Sequence, residues 1–197
     1  MDGAQTETDL VVRAQAGDLD AQQQLWRQHR RWVAAIVLAH RPRGIDVDDL
    51  MQDVAVKLIS RIETLREPEA FRPWLRQIIL NVCRGAARQL KPTLSLSGAG
   101  TDDGDDRRDA IVPVSAEPSV DRTVGTPDVA DRLMRQAMTL PAEYREPLLL
   151  RCVRSLTYQQ IAAILELPVT TIETRLARAR RMLREELGDE FAAGLST

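Results

Sequence analysis

The residues best suited to chemistry in this sequence form an arginine-rich stripe on one predicted helix near the C-terminus. At 100° per residue, one face of residues 170–184 carries small and polar side chains first and arginines further along: Thr170, Thr174, Ala177, Arg178 and Arg181, flanked by Arg175, Arg180 and Arg184. Guanidinium groups contact phosphates and the acceptor edge of guanine, and small residues permit close approach to a groove. We interpret the stripe as a DNA-binding surface; the alternative is an arginine-rich face that is only solvated.

Two predicted helices position this stripe. Thr157 with Gln160 has the form of a capping box, and residues 166–168 end the first helix because Pro168 disfavours helical geometry in its predecessor. Thr170 with Glu173 repeats the capping signature and starts the second helix. The predicted buried face of that helix is Ile172, Leu176, Ala179 and Leu183. A short helix, a tight turn and a longer helix with an arginine-rich outer face are typical of a helix-turn-helix.

Glu173 has two interpretations. As the third residue of a capping box it has a local role, whereas on the outer face its carboxylate could accept a hydrogen bond from a cytosine amino group. The sequence leaves both open.

Composition favours a helical protein without a strong basic excess. Of the 197 residues, 44% are hydrophobic and only 4% aromatic, so the core must consist largely of aliphatic side chains, which favours helices. Residues 1–90 hold 13 basic and 12 acidic side chains, residues 91–127 hold 4 and 7, and residues 128–197 hold 10 and 10. Because phosphate neutralisation supplies most non-specific DNA affinity, such a chain needs a partner to bind DNA well.

The sequence also argues against several functional classes. Its longest apolar run, 32–39, is too short for a membrane span or a leader, which predicts a cytoplasmic protein without membrane insertion. Cys83 and Cys152 lack CxxC spacing and are predicted to be buried free thiols. His29 and His40 are accompanied by no carboxylate pair, phosphate-binding loop or metal-ligand spacing. We therefore expect no catalysis, no cofactor and no metal.

Periodicity divides the chain into two helical domains. Residues 1–90 carry four helical patterns, the second of them with Asp20 as its predicted cap. Residues 91–127 are rich in Pro, Gly, Ser and Asp and have no sustained period, which predicts a flexible acidic linker. Helical periodicity resumes over 128–197 with four more helices. The predicted fold is all-α: two small helical domains joined by this linker.

Two faces of the N-terminal domain could bind partners. The helix predicted to start at Asp46 has an acidic flank formed by Asp49, Gln52 and Asp53, for which complementation of the helix dipole is the alternative interpretation. The helix predicted to start near Phe71 has a polar face formed by Gln77, Asn81, Arg84 and Arg88, with Arg72 and Arg76 near its start. Such a face is either solvated or contacts a nucleic-acid strand.

Three segments together resemble a known family. LPAEYREPLLLRCVRSLTYQQIAAILELPVTTIETRLARARRMLREEL is similar to the C-terminal promoter-binding domain of bacterial extracytoplasmic-function (ECF) sigma factors. DDLMQDVAVKL and FRPWLRQIILNVCR resemble the core-binding helix and the strand-melting helix of their N-terminal domain. The resemblance covers most of the chain in the right order, and it implies a sigma region 2-like domain followed by a region 4-like helix-turn-helix domain.

The resemblance implies a role for each exposed surface. The residues that would lie against the basic coiled coil of the largest polymerase subunit are Asp49, Gln52 and Asp53. Those that would form the pocket for a base flipped from the −10 element are Leu65, Glu69, Ala70 and Asn81, with Arg84 and Arg88 along the strand backbone. Those that would face the −35 element in the major groove are Thr171, Glu173, Thr174, Ala177, Arg178 and Arg181.

As a whole, the resemblance implies a dissociable specificity subunit that binds core RNA polymerase, recognises both promoter elements and starts strand melting. The partners implied are core RNA polymerase and promoter DNA, and an anti-sigma protein is a further partner consistent with the family. The alternative is a conventional helix-turn-helix regulator that binds an operator without polymerase, usually as a dimer.

Overall fold

The structure is a computed structural model that describes residues 6–90, 127–153 and 156–187. Within these ranges it contains eight α-helices, two single-turn 3-10 helices and no strand, which confirms the all-α prediction. None of the described helices has both the length and the apolar character needed to cross a membrane. The predicted linker 91–127 lies outside the described residues except for Pro127, where a helix begins.

The helices fall into the two predicted groups of four. The first group is α1 (Glu7–Gln15), α2 (Leu19–His40), α3 (Val47–Arg61) and α4 (Phe71–Leu90). The 3-10 helices Ile62–Thr64 and Pro68–Ala70 connect α3 to α4. The second group is α5 (Pro127–Thr139), α6 (Ala142–Cys152), α7 (Tyr158–Leu165) and α8 (Val169–Leu187).

Helix α2 begins two residues earlier than its predicted cap implied. Gly17, with a φ of 87°, turns the chain at the end of α1. The Asp18 side chain then accepts a hydrogen bond from the Ala21 amide at 3.1 Å and caps α2. Asp20 lies inside the first turn, so its predicted capping role is wrong.

The core of the N-terminal domain is built from the apolar faces of α1 to α4. Its largest side chains with almost no exposed surface are Leu10, Leu25, Ile36, Leu50, Leu58, Ile62, Phe71, Leu75 and Ile79. Burying each one contributes about 1.5–3 kcal/mol. Because these faces point inward, the acidic and polar flanks of α3 and α4 face outward.

The two domains also pack against each other, mainly through α2 and α6, and α4 contacts α7. Residues 35–39 of α2 are all buried, and so are residues 146–150 of α6. An amphipathic helix with one covered face leaves some of any five consecutive residues exposed, so both segments are covered on more than one side. This interdomain contact was not predicted from the sequence.

The two cysteines differ in their surroundings. Cys83 is buried, as predicted, and burial raises the pKa of its thiol to about 11. Cys152 is exposed in the last turn of α6, so its predicted burial is wrong. The sequence prediction did not take into account that α6 ends at this residue.

Candidate polymerase and promoter interfaces

Helix α7 is fixed at both ends. Thr157 Oγ1 accepts from the Gln160 amide at 3.2 Å, and Gln160 Oε1 accepts from the Thr157 amide at 2.8 Å, which confirms the predicted capping box. Glu166 ends the helix in the left-handed region with a φ of 55°, and the Leu167 amide donates to the Ala162 carbonyl at 3.0 Å. This closed turn sets the direction in which α8 leaves α7.

Helix α8 begins directly after Pro168, earlier than predicted. The Pro168 carbonyl accepts from the amides of Thr171 and Ile172 at 3.0 and 3.2 Å. Thr170 therefore lies inside the helix, and the predicted capping box of Thr170 with Glu173 is wrong. The Glu173 side chain is exposed and makes no hydrogen bond within the described part of the chain, which leaves its carboxylate available to a ligand.

The two sides of α8 divide as predicted. The buried side, with exposed fractions of 0–1%, is Ile172, Leu176, Ala179 and Leu183. Five of the six residues predicted to face the −35 element are exposed: Glu173, Thr174, Ala177, Arg178 and Arg181. Thr171, the sixth, is half-buried. We refer to these six residues as the α8 face.

Two arginines of the α8 face have hydrogen-bonding or charged neighbours. Arg178 Nη1 donates to the Tyr144 hydroxyl of α6 at 3.2 Å. Arg181 Nε lies 3.5 Å from Glu185 Oε1, one turn further along α8. The first contact comes from a different helix and was not visible in the sequence.

The acidic flank of α3 is exposed, as predicted. Asp46 caps this helix by accepting from the Asp48 amide at 2.8 Å. The side chains of the flank residues have no hydrogen bond or ion pair with another described residue, so their polar groups face solvent. These residues are Asp49, Gln52 and Asp53. An apolar groove of about 350 Å³ lies between α2 and α3, lined by Leu19, Asp20, Gln22, Gln23, Trp26, Ala55, Leu58 and Ile59.

The polar face of α4 is also exposed, as predicted. Its residues are Gln77, Asn81, Arg84 and Arg88, and Gln77 Nε2 donates to Asn81 Oδ1 at 3.3 Å. The connecting segment before α4 is more varied: Glu69 is exposed and Ala70 is half-buried. The Leu65 side chain is only 6% exposed and belongs to the hydrophobic core. The structure therefore does not bring that side chain to the surface that holds Asn81.

Arg72 and Arg76, near the start of this face in the sequence, are engaged in ion pairs. Arg72 binds Glu7 with Nε–Oε1 at 3.0 Å and Nη2–Oε2 at 2.7 Å. Arg76 binds Glu146 with Nε–Oε1 at 2.7 Å and Nη2–Oε2 at 2.8 Å. Bidentate pairs of this length fix both side chains. In this structure these two arginines therefore stabilise contacts within the protein.

Glu146 joins the two domains. It is 5% exposed, and its Oε2 also lies 3.1 Å from His40 Nε2 at the end of α2. Burial raises the pKa of the Glu146 carboxyl, but hydrogen bonds from His40 and Arg76 outweigh burial and hold the pKa at about 2. Glu146 is therefore an ionised carboxylate that bridges two cationic or hydrogen-bonding groups of the N-terminal domain.

Comparisons with known proteins also divide the chain into two parts. The Sigma-70 region 2 family matches residues 25–93, and the Sigma-70, region 4 family matches residues 130–183. The chain is 28% identical over 180 residues to the ECF RNA polymerase sigma-E factor of Escherichia coli K12, which covers 90% of this chain and 92% of the relative. It is 28% identical over 189 residues to the ECF RNA polymerase sigma-E factor of Haemophilus influenzae, covering 92% and 95%.

Two solved structures have a similar fold. One is CnrH in complex with the cytosolic domain of CnrY, with a TM-score of 0.57 and 24% identity over 92% of this chain and 96% of that chain. The other is the sigma factor RpoE in complex with the anti-sigma factor NepR from Bartonella quintana, with a TM-score of 0.56 and 22% identity over 85% and 97%.

Proposed function

The chain belongs to the ECF RNA polymerase sigma factors, and we propose that it binds core RNA polymerase and directs it to promoters through the surfaces described above. The observation that carries this proposal is the arrangement of the α8 face. A helix-turn-helix presents it to solvent within the region 4 match, while the region 2 match holds the exposed faces of α3 and α4. Each face then meets a different part of the initiation complex.

The α8 face would recognise the −35 element in the major groove. Its small residues lie toward the start of the helix and its arginines follow, as close approach to base edges requires. Arg178 would contact a base edge, and Glu173, now free of a capping role, would accept from a cytosine amino group.

The α4 face would recognise and open the −10 element. Asn81 would hydrogen-bond a base that has left the stack, with Glu69 and Ala70 nearby and Leu65 supporting the segment from inside. Extruding a base costs a few kcal/mol, so contacts that hold the extruded base would help to start melting. Arg84 and Arg88 would follow the phosphates of the opened strand.

The acidic flank of α3 would bind core polymerase. Asp49, Gln52 and Asp53 have no competing partners in the described part of the chain, and the exposed apolar groove between α2 and α3 adds surface for burial. A basic partner is attracted by the two carboxylates and gains further from covering apolar area.

This function requires no catalysis by the chain itself, since polymerase carries the chemistry, and it places the protein in the cytoplasm with polymerase and promoter DNA. Two proteins of similar fold were solved with CnrY and with the anti-sigma factor NepR. We extend that mode of control to this chain as a proposal, in which an anti-sigma protein holds it inactive.

The direct test is reconstitution with core RNA polymerase. Co-elution of chain and core, followed by transcription from a promoter that core alone does not use, supports the proposal. Tight operator binding by the isolated chain, with no association with core, would instead support a conventional helix-turn-helix regulator.

A further inference from the structure

Residues near the start of helix α6 contact two arginines of α8, of which Arg178 belongs to the α8 face. Tyr144 lies in the first turn of α6, and its hydroxyl accepts a hydrogen bond from Arg178 Nη1 at 3.2 Å. Glu143, the preceding residue, lies 4.0 Å from Arg175 Nη2. Arg178 itself is exposed, and among the described residues the Tyr144 hydroxyl is the one hydrogen-bond partner of its guanidinium.

The packing of the Tyr144 ring fixes the position of the hydroxyl in that contact. The side chain is half-buried and packs against the hydrophobic core, so the position of its hydroxyl is set by the fold rather than by solvent. A tyrosine hydroxyl that accepts one hydrogen bond can still donate its own proton. The Tyr144 hydroxyl can therefore accept from Arg178 and still donate its own hydrogen to another group.

The geometry of the guanidinium determines which of its N–H donors remain available to DNA. It carries five N–H donors in a planar fork, and the contact with Tyr144 uses Nη1. The Nε and Nη2 edge stays free, and two parallel donors on one edge match the O6 and N7 acceptors of guanine. A side chain that is already oriented loses less freedom when it forms this pair.

We propose that Tyr144 is a positioning residue for sequence readout, which holds Arg178 so that its free edge meets a guanine in the −35 element. The inference rests on the proposed role of the α8 face. It assigns a specificity role to a side chain outside the helix-turn-helix.

The other tyrosine of the chain provides a matched control. Tyr158, at the start of α7, has its ring centroid 5.3 Å from Arg151 Cζ. A hydrogen bond from Arg180 is the main cause that lowers the pKa of its hydroxyl. Tyr158→Phe removes the same group from the same domain, but that hydroxyl serves Arg151 and Arg180 and not Arg178.

The test uses the full chain with core polymerase on a promoter library randomised across the −35 element. Arg178→Ala should reduce preference at one or two base pairs about 5- to 150-fold, the change that matches removal of one bidentate pair with a base. Tyr144→Phe should reduce preference at the same base pairs about 2- to 12-fold, as expected for removal of one hydrogen bond. Tyr158→Phe should leave the preference at those positions unchanged.

The double variant separates positioning from packing. Tyr144→Phe should have no further effect when Arg178 is already Ala, because its action passes through that side chain. If Arg178→Ala changes preference and Tyr144→Phe does not, the positioning role is wrong while the reading role stands. If Arg178→Ala changes no base preference, the reading role fails, and the inference fails with it. Equal losses at all positions for Tyr144→Phe would show that the residue only supports the domain.

Discussion

Arg76 and Glu146 lie 70 residues apart in the sequence and form a bidentate ion pair that joins the two domains. The pair is largely shielded from water, with side-chain exposures of 23% and 7%. A buried pair of this kind adds little net stability over apolar packing, but removing one partner leaves the other charge uncompensated. We call the packing of the two domains against each other the closed arrangement. It therefore depends on both residues being present.

The first prediction follows from that dependence. Glu146→Ala should destabilise the closed arrangement by about 3–5 kcal/mol, because Arg76 would stay buried without its partner. Opening of the interdomain contact returns the guanidinium to water, so we expect a larger radius of gyration in small-angle X-ray scattering and little loss of helix by circular dichroism. Glu143→Ala removes a carboxylate from the exposed side of the same helix and should change neither quantity. An unchanged radius of gyration for Glu146→Ala would contradict the dependence.

A second buried polar group lies within the N-terminal domain. His29 is 4% exposed; its Nδ1 accepts from Trp32 Nε1 at 2.9 Å, and its Nε2 lies 3.5 Å from Glu7 Oε2. Because Nδ1 is an acceptor, the neutral ring carries its proton on Nε2. Burial is the main cause that lowers the pKa of His29 to about 4, with Glu7 opposing and Arg72 adding to the decrease.

The second prediction is an acid-dependent loss of stability. The pKa of His29 is lower in the folded state, so between about pH 6.5 and pH 4 the unfolded state binds more protons and stability falls as the pH falls. The free energy of unfolding should be about 2 kcal/mol lower at pH 5 than at pH 8 from this residue alone. His29→Asn keeps an acceptor for Trp32 and removes the titration. Urea unfolding of both proteins at both pH values measures the difference, and parallel pH profiles would refute the assignment.

The helices and their inward faces could be predicted from the sequence, because an amphipathic helix repeats its apolar residues every three to four positions. The buried side of α8 and the exposed flank of α3 are examples. Helix starts were less predictable. Asp18 and Asp20 are both good caps, and the turn at Gly17 decides between them; Pro168 likewise starts α8 before Thr170 can cap it.

Contacts between distant residues could not be predicted in the same way. No local pattern indicates that Arg72 binds Glu7 or that Arg76 binds Glu146, since charged residues of either sign are frequent on every helix. The same reason explains why the contact of Tyr144 with Arg178 was missed. Leu65 shows the converse: the family resemblance implied a place for it at the base pocket, but its side chain is buried in the core.

The third prediction concerns core polymerase. Asp49→Lys combined with Asp53→Lys should weaken association with core at least about tenfold, because each reversal turns an attraction into a repulsion. Both side chains are exposed, so folding should be unaffected. Glu173→Lys with Glu186→Lys makes the same change in charge on exposed positions of α8 and should not weaken association measured without DNA. If the unchanged chain and both double variants bind core with equal affinity, the acidic flank is not part of the interface.

The fourth prediction separates base contacts from strand contacts on α4. Arg84→Gln with Arg88→Gln should lower promoter opening for all sequences alike. The slope of log affinity against log salt should fall by about 0.7 for each phosphate of a single strand that is no longer neutralised. Asn81→Ala should instead change preference at one −10 position. Permanganate footprinting of the −10 element with the holoenzyme, repeated over a series of salt concentrations, measures both. Arg30→Gln with Arg31→Gln, on the exposed surface of α2, is the charge-matched control.

The last prediction concerns the independence of the two domains. Residues 91–127 are predicted from composition to be a linker, so limited proteolysis should cut within about residues 96–126 and leave two helical fragments. Because α2 packs on α6 and Arg76 binds Glu146, the fragments should still co-elute at low salt concentration. After cleavage of the Glu146→Ala protein they should separate, each keeping its helical circular dichroism, because each half buries apolar side chains among its own four helices. Loss of helix in either fragment after separation would show that the two halves fold only as a unit.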